Sequence, residues 1–169
     1  DPKNCGVNCL YALLRLEEVP VDKEQVQNLL PVGDQGCSLA DLQRTAAAFG
    51  LSTTIVRASP DNLDTLPLPA VVHTEMAEGI GHYLVLVHMH DREYPRFIDG
   101  TTGEGFDWAR GQFLRIWSGY ALLVERPRTT VWLTFLFGLI AALSTFCFGL
   151  ILLRLLWCRW DAGKGGCVC

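Results

Sequence analysis

Residues 4–16, NCGVNCLYALLRL, decide the reading of the whole chain of 169 residues. Asn4 is a residue type that caps helices, and Val7, Leu10 and Leu14 then recur on one helical face to about Leu16, where Glu17, Glu18 and Pro20 interrupt the pattern. Cys5 therefore opens a helix. A cysteine in the first turn stands in the positive end of the macrodipole, which favours the thiolate, the form that attacks carbonyl carbon. That makes Cys5 a candidate nucleophile. Cys9, one turn further in and on or near the apolar face, reads as a small buried thiol, and Cys37, in a loop ahead of another helix, reads the same way.

Outward from this helix, Asp22 with Gln25 reads as a capping box for a second helix carrying Val26, Leu29 and Leu30, stopped by Pro31 and Gly33. Ser38 and Asp41 repeat the device ahead of Leu39, Leu42, Ala46 and Phe49, with Gly50 as terminator. After Gly50 the texture changes to short β-rich runs at residues 52–58, 70–73, 83–89, 96–98 and 120–124. Turn chemistry falls at residues 60–62, 67–69, 79–81 and 99–105, and a short helix is expected over residues 112–117. Helices followed by strands indicate the α+β class, with N-terminal helices packed on an antiparallel sheet.

A cysteine nucleophile needs a base and an acceptor to orient it, distant in sequence and near in space. His82 follows a glycine-rich turn and begins an apolar strand, which places its ring at the rim of a sheet. Asp99 ends the run Arg96-Phe97-Ile98 and opens a glycine-rich turn, which brings its carboxylate to the same rim. Cys5, His82 and Asp99 form a triad candidate, against the plainer reading of Asp99 as a surface turn residue. His73 ends a strand, where an exposed ring fits equally well. His88 is about 20 Å along the strand from His82 and shares no site with it. His88 and His90 could pair on a metal, but no third ligand is evident and a polar strand end is the favoured reading. Nothing implies a cofactor.

Half of the residues are apolar, 19% are charged and the formal charge is -4. The mild acidity, with no Lys/Arg cluster in residues 1–126, gives no footprint for nucleic acid. Residues 130–153, TVWLTFLFGLIAALSTFCFGLILL, hold no charged residue, and as a helix they would span about 36 Å. Trp132, Trp157 and Trp160 stand where headgroups favour aromatic rings, and Arg128, Arg154 and Arg159 bracket the run. The expectation is a soluble domain over residues 1–126, a linker over 127–129, a membrane helix over 130–157 in a lipid bilayer, and a Cys/Gly-rich tail over 158–169. Gly138, Ala142, Thr145 and Gly149 make a small-residue stripe against which another membrane helix could pack. No paired metal spacing such as C-x-x-C occurs, and the odd number of cysteines, seven, suggests free thiols in a reducing compartment.

Several blocks in order resemble the double-glycine leader peptidases, the bacteriocin-processing cysteine peptidases usually fused to ABC transporters. These are NCGVNCLYALL, GCSLADLQRTAAAFGL, PLPAVVH, GHYLVL, FIDGTTGE and WSGYALLVE, and the resemblance they carry runs over almost all of residues 1–126. The resemblance implies a papain-like fold with the nucleophile on Cys5, the base on His82 and the orienting carboxylate on Asp99. It also implies cleavage after a Gly-Gly pair through a thioester, the glycines being required by a narrow cleft.

There are three departures. The family's oxyanion glutamine lies about six residues before its cysteine and only four residues precede Cys5, so the chain is expected to continue upstream. The family's Asp before the cysteine is Asn4, and its Asp-Pro is Asp99-Gly100, which should loosen the turn. One expected membrane helix replaces the transporter and its ATPase, suggesting service to a separate exporter or other membrane protein.

The expected function is a single-pass, membrane-anchored cysteine endopeptidase at the bacterial cytoplasmic membrane, its domain on the cytoplasmic side, acting on peptides or proteins with Gly-Gly leaders. The alternative is a peptidase-like module that binds leader peptides or a partner membrane protein without cutting. An acyltransferase using the same nucleophile is a third.

Overall fold

The computed structural model describes residues 4–34, 36–75, 81–89 and 91–126. The chain divides between Arg126 and Pro127 into two units, and every described helix and strand lies in the first. Helix α1, Cys5–Leu16, begins directly after Asn4 and buries Leu10, Leu13 and Leu14 completely, each worth about 1.5–3 kcal/mol of apolar burial. Asn4 is the capping residue, but its side chain makes no capping hydrogen bond, so the first-turn N–H groups remain available to other acceptors.

Helix α2, Lys23–Leu29, follows its box, the Asp22 N–H donating to Gln25 Oε1 at 2.9 Å. Helix α3, Leu39–Ala48, follows the second, where Asp41 N–H donates to Ser38 Oγ at 3.2 Å and Ser38 N–H to Asp41 Oδ2 at 2.9 Å. It ends before Gly50, as the sequence predicts.

The strands are β1, Thr53–Arg57; β2, Ala70–Glu75; β3, Gly81–His88; β4, Arg96–Asp99; β5, Gly105–Asp107; and β6, Trp117–Val124. A 3₁₀ turn, Pro60–Thr65, stands where a turn was expected. The strands form one antiparallel sheet in the order β1-β6-β2-β3-β4-β5. One face carries α1, α2 and α3 over Val71, Tyr83, Val85 and Leu122. The other packs Leu84, Leu86 and Phe97 against Phe113, Trp117 and Leu63. Because residues alternate faces, every strand except the short edge strand β5 supplies both cores.

Two expectations differ from the structure. The helix expected at 112–117 is helix α4, Arg110–Phe113, and Trp117 already belongs to β6. Gly119, at φ +84°, and a register shift between β2 and β6 let the strand run on through Ser118 and Gly119, where the apolar alternation lapses. The short edge strand β5 lies at the close of the expected turn, pinned by Arg96, whose Nη1 donates to both oxygens of Asp107 at 3.1 Å. Among the described residues no helix is long and apolar enough to cross a membrane; the expected membrane helix, the small-residue stripe and the tail lie outside them.

Candidate active site

Cys5 stands at the head of α1 with only 7% of its surface exposed. Burial raises its thiol pKa above the ordinary range. The backbone N–H groups of Tyr83 and Gly6 point at the sulfur and pull the other way, and the negative charge of Asp99 adds to the rise. The macrodipole expectation of a resting thiolate is therefore not what the surroundings produce, because desolvation outweighs the helix terminus. Gly6 is fixed by space. A Cβ there would collide with Cys37 Sγ and lie 3.6 Å from the Tyr83 ring, so a side chain at this position would have to displace the Cys37 thiol.

The other two candidate residues come from the sheet. Asp99 pairs across from Leu84, and His82 precedes Leu84 by two, so both project on one face at neighbouring diagonal positions. His82 Nε2 lies 3.4 Å from Asp99 Oδ2, with His82 itself buried. The other carboxylate oxygen, Oδ1, accepts the N–H groups of Thr101 and Thr102 at 2.5 and 3.0 Å. Partial burial raises the Asp99 carboxyl, but the Thr102 and Thr101 N–H groups and His82 outweigh it and the net shift is downward. Asp99 is thus a carboxylate with one oxygen committed to its own turn and one left for the imidazole.

Of the expected site residues, His82 touches Asp99, the charge of Asp99 acts on the Cys5 thiol, and the N–H of the residue after His82 reaches the Cys5 sulfur. Asp99-Gly100 does not simply loosen the turn. A Cβ on Gly100 would lie 2.7 Å from Cys5 O, Cys9 Sγ and Tyr83 O, so the turn is seated directly on the first turns of α1. Cys9 is fully buried against it, with its thiol raised by burial, and Cys37 is pushed up to about 12 by the same cause.

His73 is on the opposite sheet face from His82. Ser118 Oγ donates to His73 O at 3.0 Å and lies 2.9 Å from His73 Nδ1, so the ring carries its proton on Nδ1; burial lowers its pKa. Its ring packs on Tyr83, centroids 5.3 Å apart, and the Tyr83 hydroxyl donates to Cys37 O at 3.0 Å. Tyr83 and Asn8 were not singled out in the sequence; their neighbours Cys5 and His82 were the available signal. His88 ends β3, His90 lies outside the described residues, and no metal-ligating group of three or more stands among the described ones.

A cysteine at the head of a helix beside a histidine–aspartate pair on a sheet rim, in an α+β domain, is the arrangement of a papain-like cysteine peptidase. Residues 1–129 match the Peptidase C39 family, and the chain belongs to that family. It is a cysteine peptidase. It is 23% identical over 126 residues to the pediocin PA-1 transport/processing ATP-binding protein PedD of Pediococcus acidilactici, covering 73% of this chain and 17% of that protein. The chain thus spans less than a fifth of that relative. Among solved structures it resembles a double glycine motif protease from an AMS/PCAT transporter in complex with the leader peptide, at 22% identity and TM-score 0.67, covering 75% of this chain and 87% of that one. It also resembles the peptidase domain of Streptococcus ComA, at 18% identity and TM-score 0.66, covering 75% and 94%. These likenesses establish the fold.

Proposed function

We propose that this protein cuts leader peptides after a Gly-Gly pair, with Cys5 as nucleophile, His82 as base and Asp99 as orienting carboxylate. The observation that carries this is the His82 Nε2–Asp99 Oδ2 contact at 3.4 Å, which commits one ring nitrogen to the carboxylate and leaves Nδ1 to handle the proton of the thiol. The Cys5 sulfur attacks the carbonyl carbon of the second glycine as its proton passes to His82. The tetrahedral oxyanion collapses to a thioester, and the leaving amine takes that proton from His82. Water, deprotonated by His82, then releases the leader carboxylate and restores the thiol. The preference for glycine is supported by the tight surroundings of the sulfur: a nucleophile only 7% exposed suits a chain without side chains.

The uncharged run at 130–153 supports anchoring in the bacterial cytoplasmic membrane beside a separate exporter, with the domain on the cytoplasmic side. The test of the chemistry is mass spectrometry of a Gly-Gly leader peptide incubated with the protein. Cleavage after the second glycine is expected from the parent and not from Cys5→Ala; cleavage that survives in Cys5→Ala overturns the assignment. Retention in the membrane pellet after alkaline carbonate washing tests the anchor, and release into the supernatant refutes it.

A further inference from the structure

We propose that Asn8 is a positioning residue for this reaction: its side-chain amide clamps the Asp99–Gly100 turn onto the helix that carries Cys5, and so holds the Asp99 carboxylate against His82. This role rests on the reading of Cys5, His82 and Asp99 as the reacting group. Asn8 Nδ2 donates to Gly100 O at 2.6 Å, a bond between residues 92 apart in the chain. One end is on α1, a turn below the nucleophile, and the other is the residue next to the acid.

The turn needs such a tie. Residues 101–105 are exposed, and the bonds at Asp99 N, Asp99 O, Thr101 N, Thr102 N and Glu104 N all close within the turn itself. Apart from the His82 contact, the Asn8 bond is the side-chain hydrogen bond that reaches residues 99–104 from outside, among the described residues. The His82–Asp99 separation of 3.4 Å is already near the limit of about 3.5 Å for a useful hydrogen bond, so a lift of a few tenths of an ångström would break it. Gly100 sits flush on α1, with no room even for a methyl group. A seat that close sets the distance from below; the amide keeps the turn from rising.

The chemistry of Asn8 agrees. Its Oδ1 is buried with no hydrogen-bond partner among the described residues, a cost that an apolar side chain would not incur. A carbonyl only accepts, so it is the NH₂ that must face Gly100 O. The amide makes that one bond.

The test uses the full chain. Asn8→Ala should lower kcat on a Gly-Gly leader peptide about ten- to a hundredfold, the scale of a small misplacement at a reacting centre, with KM changed less than about twofold. Hydrogen exchange followed by NMR should show the Thr101 and Thr102 amides, which donate to Asp99 Oδ1, exchanging faster in Asn8→Ala than in the parent. In an Asp99→Asn background, Asn8→Ala should lower kcat no further. An unchanged kcat, unchanged exchange at Thr101 and Thr102, or an equal kcat loss in both backgrounds overturns the proposal. If Asn8→Ala does not fold, Asn8→Ser, too short to reach the carbonyl, carries the same expectations. Should the parent cut no Gly-Gly peptide, the cleavage reading fails, while the exchange of these two amides still decides the role of Asn8.

Discussion

At Cys5 two effects of similar origin compete. The head of a helix and two backbone N–H groups favour a thiolate, whereas removal from water disfavours it, and Asp99 adds a repelling charge. Burial wins, so the thiol gives up its proton less readily than an ordinary cysteine, and under the proposed mechanism its activation falls to His82 in step with bond formation. Alkylation of Cys5 by iodoacetamide, followed by peptide mass spectrometry, should therefore keep rising with pH beyond the range where an ordinary cysteine levels off. A plateau below about pH 7 would mean a preformed thiolate. Gly100 makes a second prediction. The atoms a methyl group would strike include two backbone carbonyl oxygens, which cannot step aside as a flexible side chain would. Gly100→Ala should cost about 1–3 kcal/mol in urea unfolding and should impair cleavage more than stability alone explains.

At the scale of elements, the sequence was most informative where one residue type has one physical use. The boxes Asp22/Gln25 and Ser38/Asp41 set the starts of α2 and α3, and the helical period of Leu10 and Leu14 set α1. Five of the six strands showed as apolar runs, and Cys5, His82 and Asp99 were legible because each sits at an element end flanked by glycine. Residues 105–107 and the start of β6 were not legible: a three-residue edge strand has no period to read, and a bulge at Gly119 breaks the alternation. Nor was the crowding at Gly6 and Gly100, since that depends on what the fold brings from elsewhere.

The Ser38 box permits a measured check. Ser38→Ala removes the acceptor for Asp41 N–H and the hydroxyl that donates to Asp41 Oδ2 at 2.6 Å, and should cost about 1 kcal/mol at neutral pH. The Ser38 side chain, then its N–H, then Arg44 hold the Asp41 carboxyl below its ordinary value. A depressed folded pKa gives stability that is present above the unfolded carboxylate pKa and lost as pH falls through the folded one. The gap between parent and Ser38→Ala in urea midpoints should therefore narrow below about pH 4, and only modestly, because the pair is largely in water.

Across the whole domain, the sheet separates a helix-covered core from an aromatic one, and the candidate site is where the first helix meets strands from the middle of the chain. Helix α1 brings Cys5, while β3 and β4 bring His82 and Asp99, so the group exists only when segments far apart in the chain are docked. Strand β4 is held from beneath: Phe97, two residues before Asp99, is fully buried with its ring 4.7 Å from that of Phe113. Phe113→Ala should therefore cost about 3–5 kcal/mol and carry activity down with stability, although Phe113 is not one of the three candidate site residues.

The same partition predicts the effect of ending the chain at Arg126. Both buried clusters lie wholly within residues 5–124, so the shortened protein should still unfold cooperatively. It should also cut a soluble Gly-Gly peptide at a kcat/KM within about threefold of the full chain, since tethering changes local concentration and leaves the chemistry alone. What it should lose is sedimentation with membranes and rapid processing of leaders presented by an exporter. A shortened chain that folds yet fails on the soluble peptide would show that residues 127–169 contribute to the site itself.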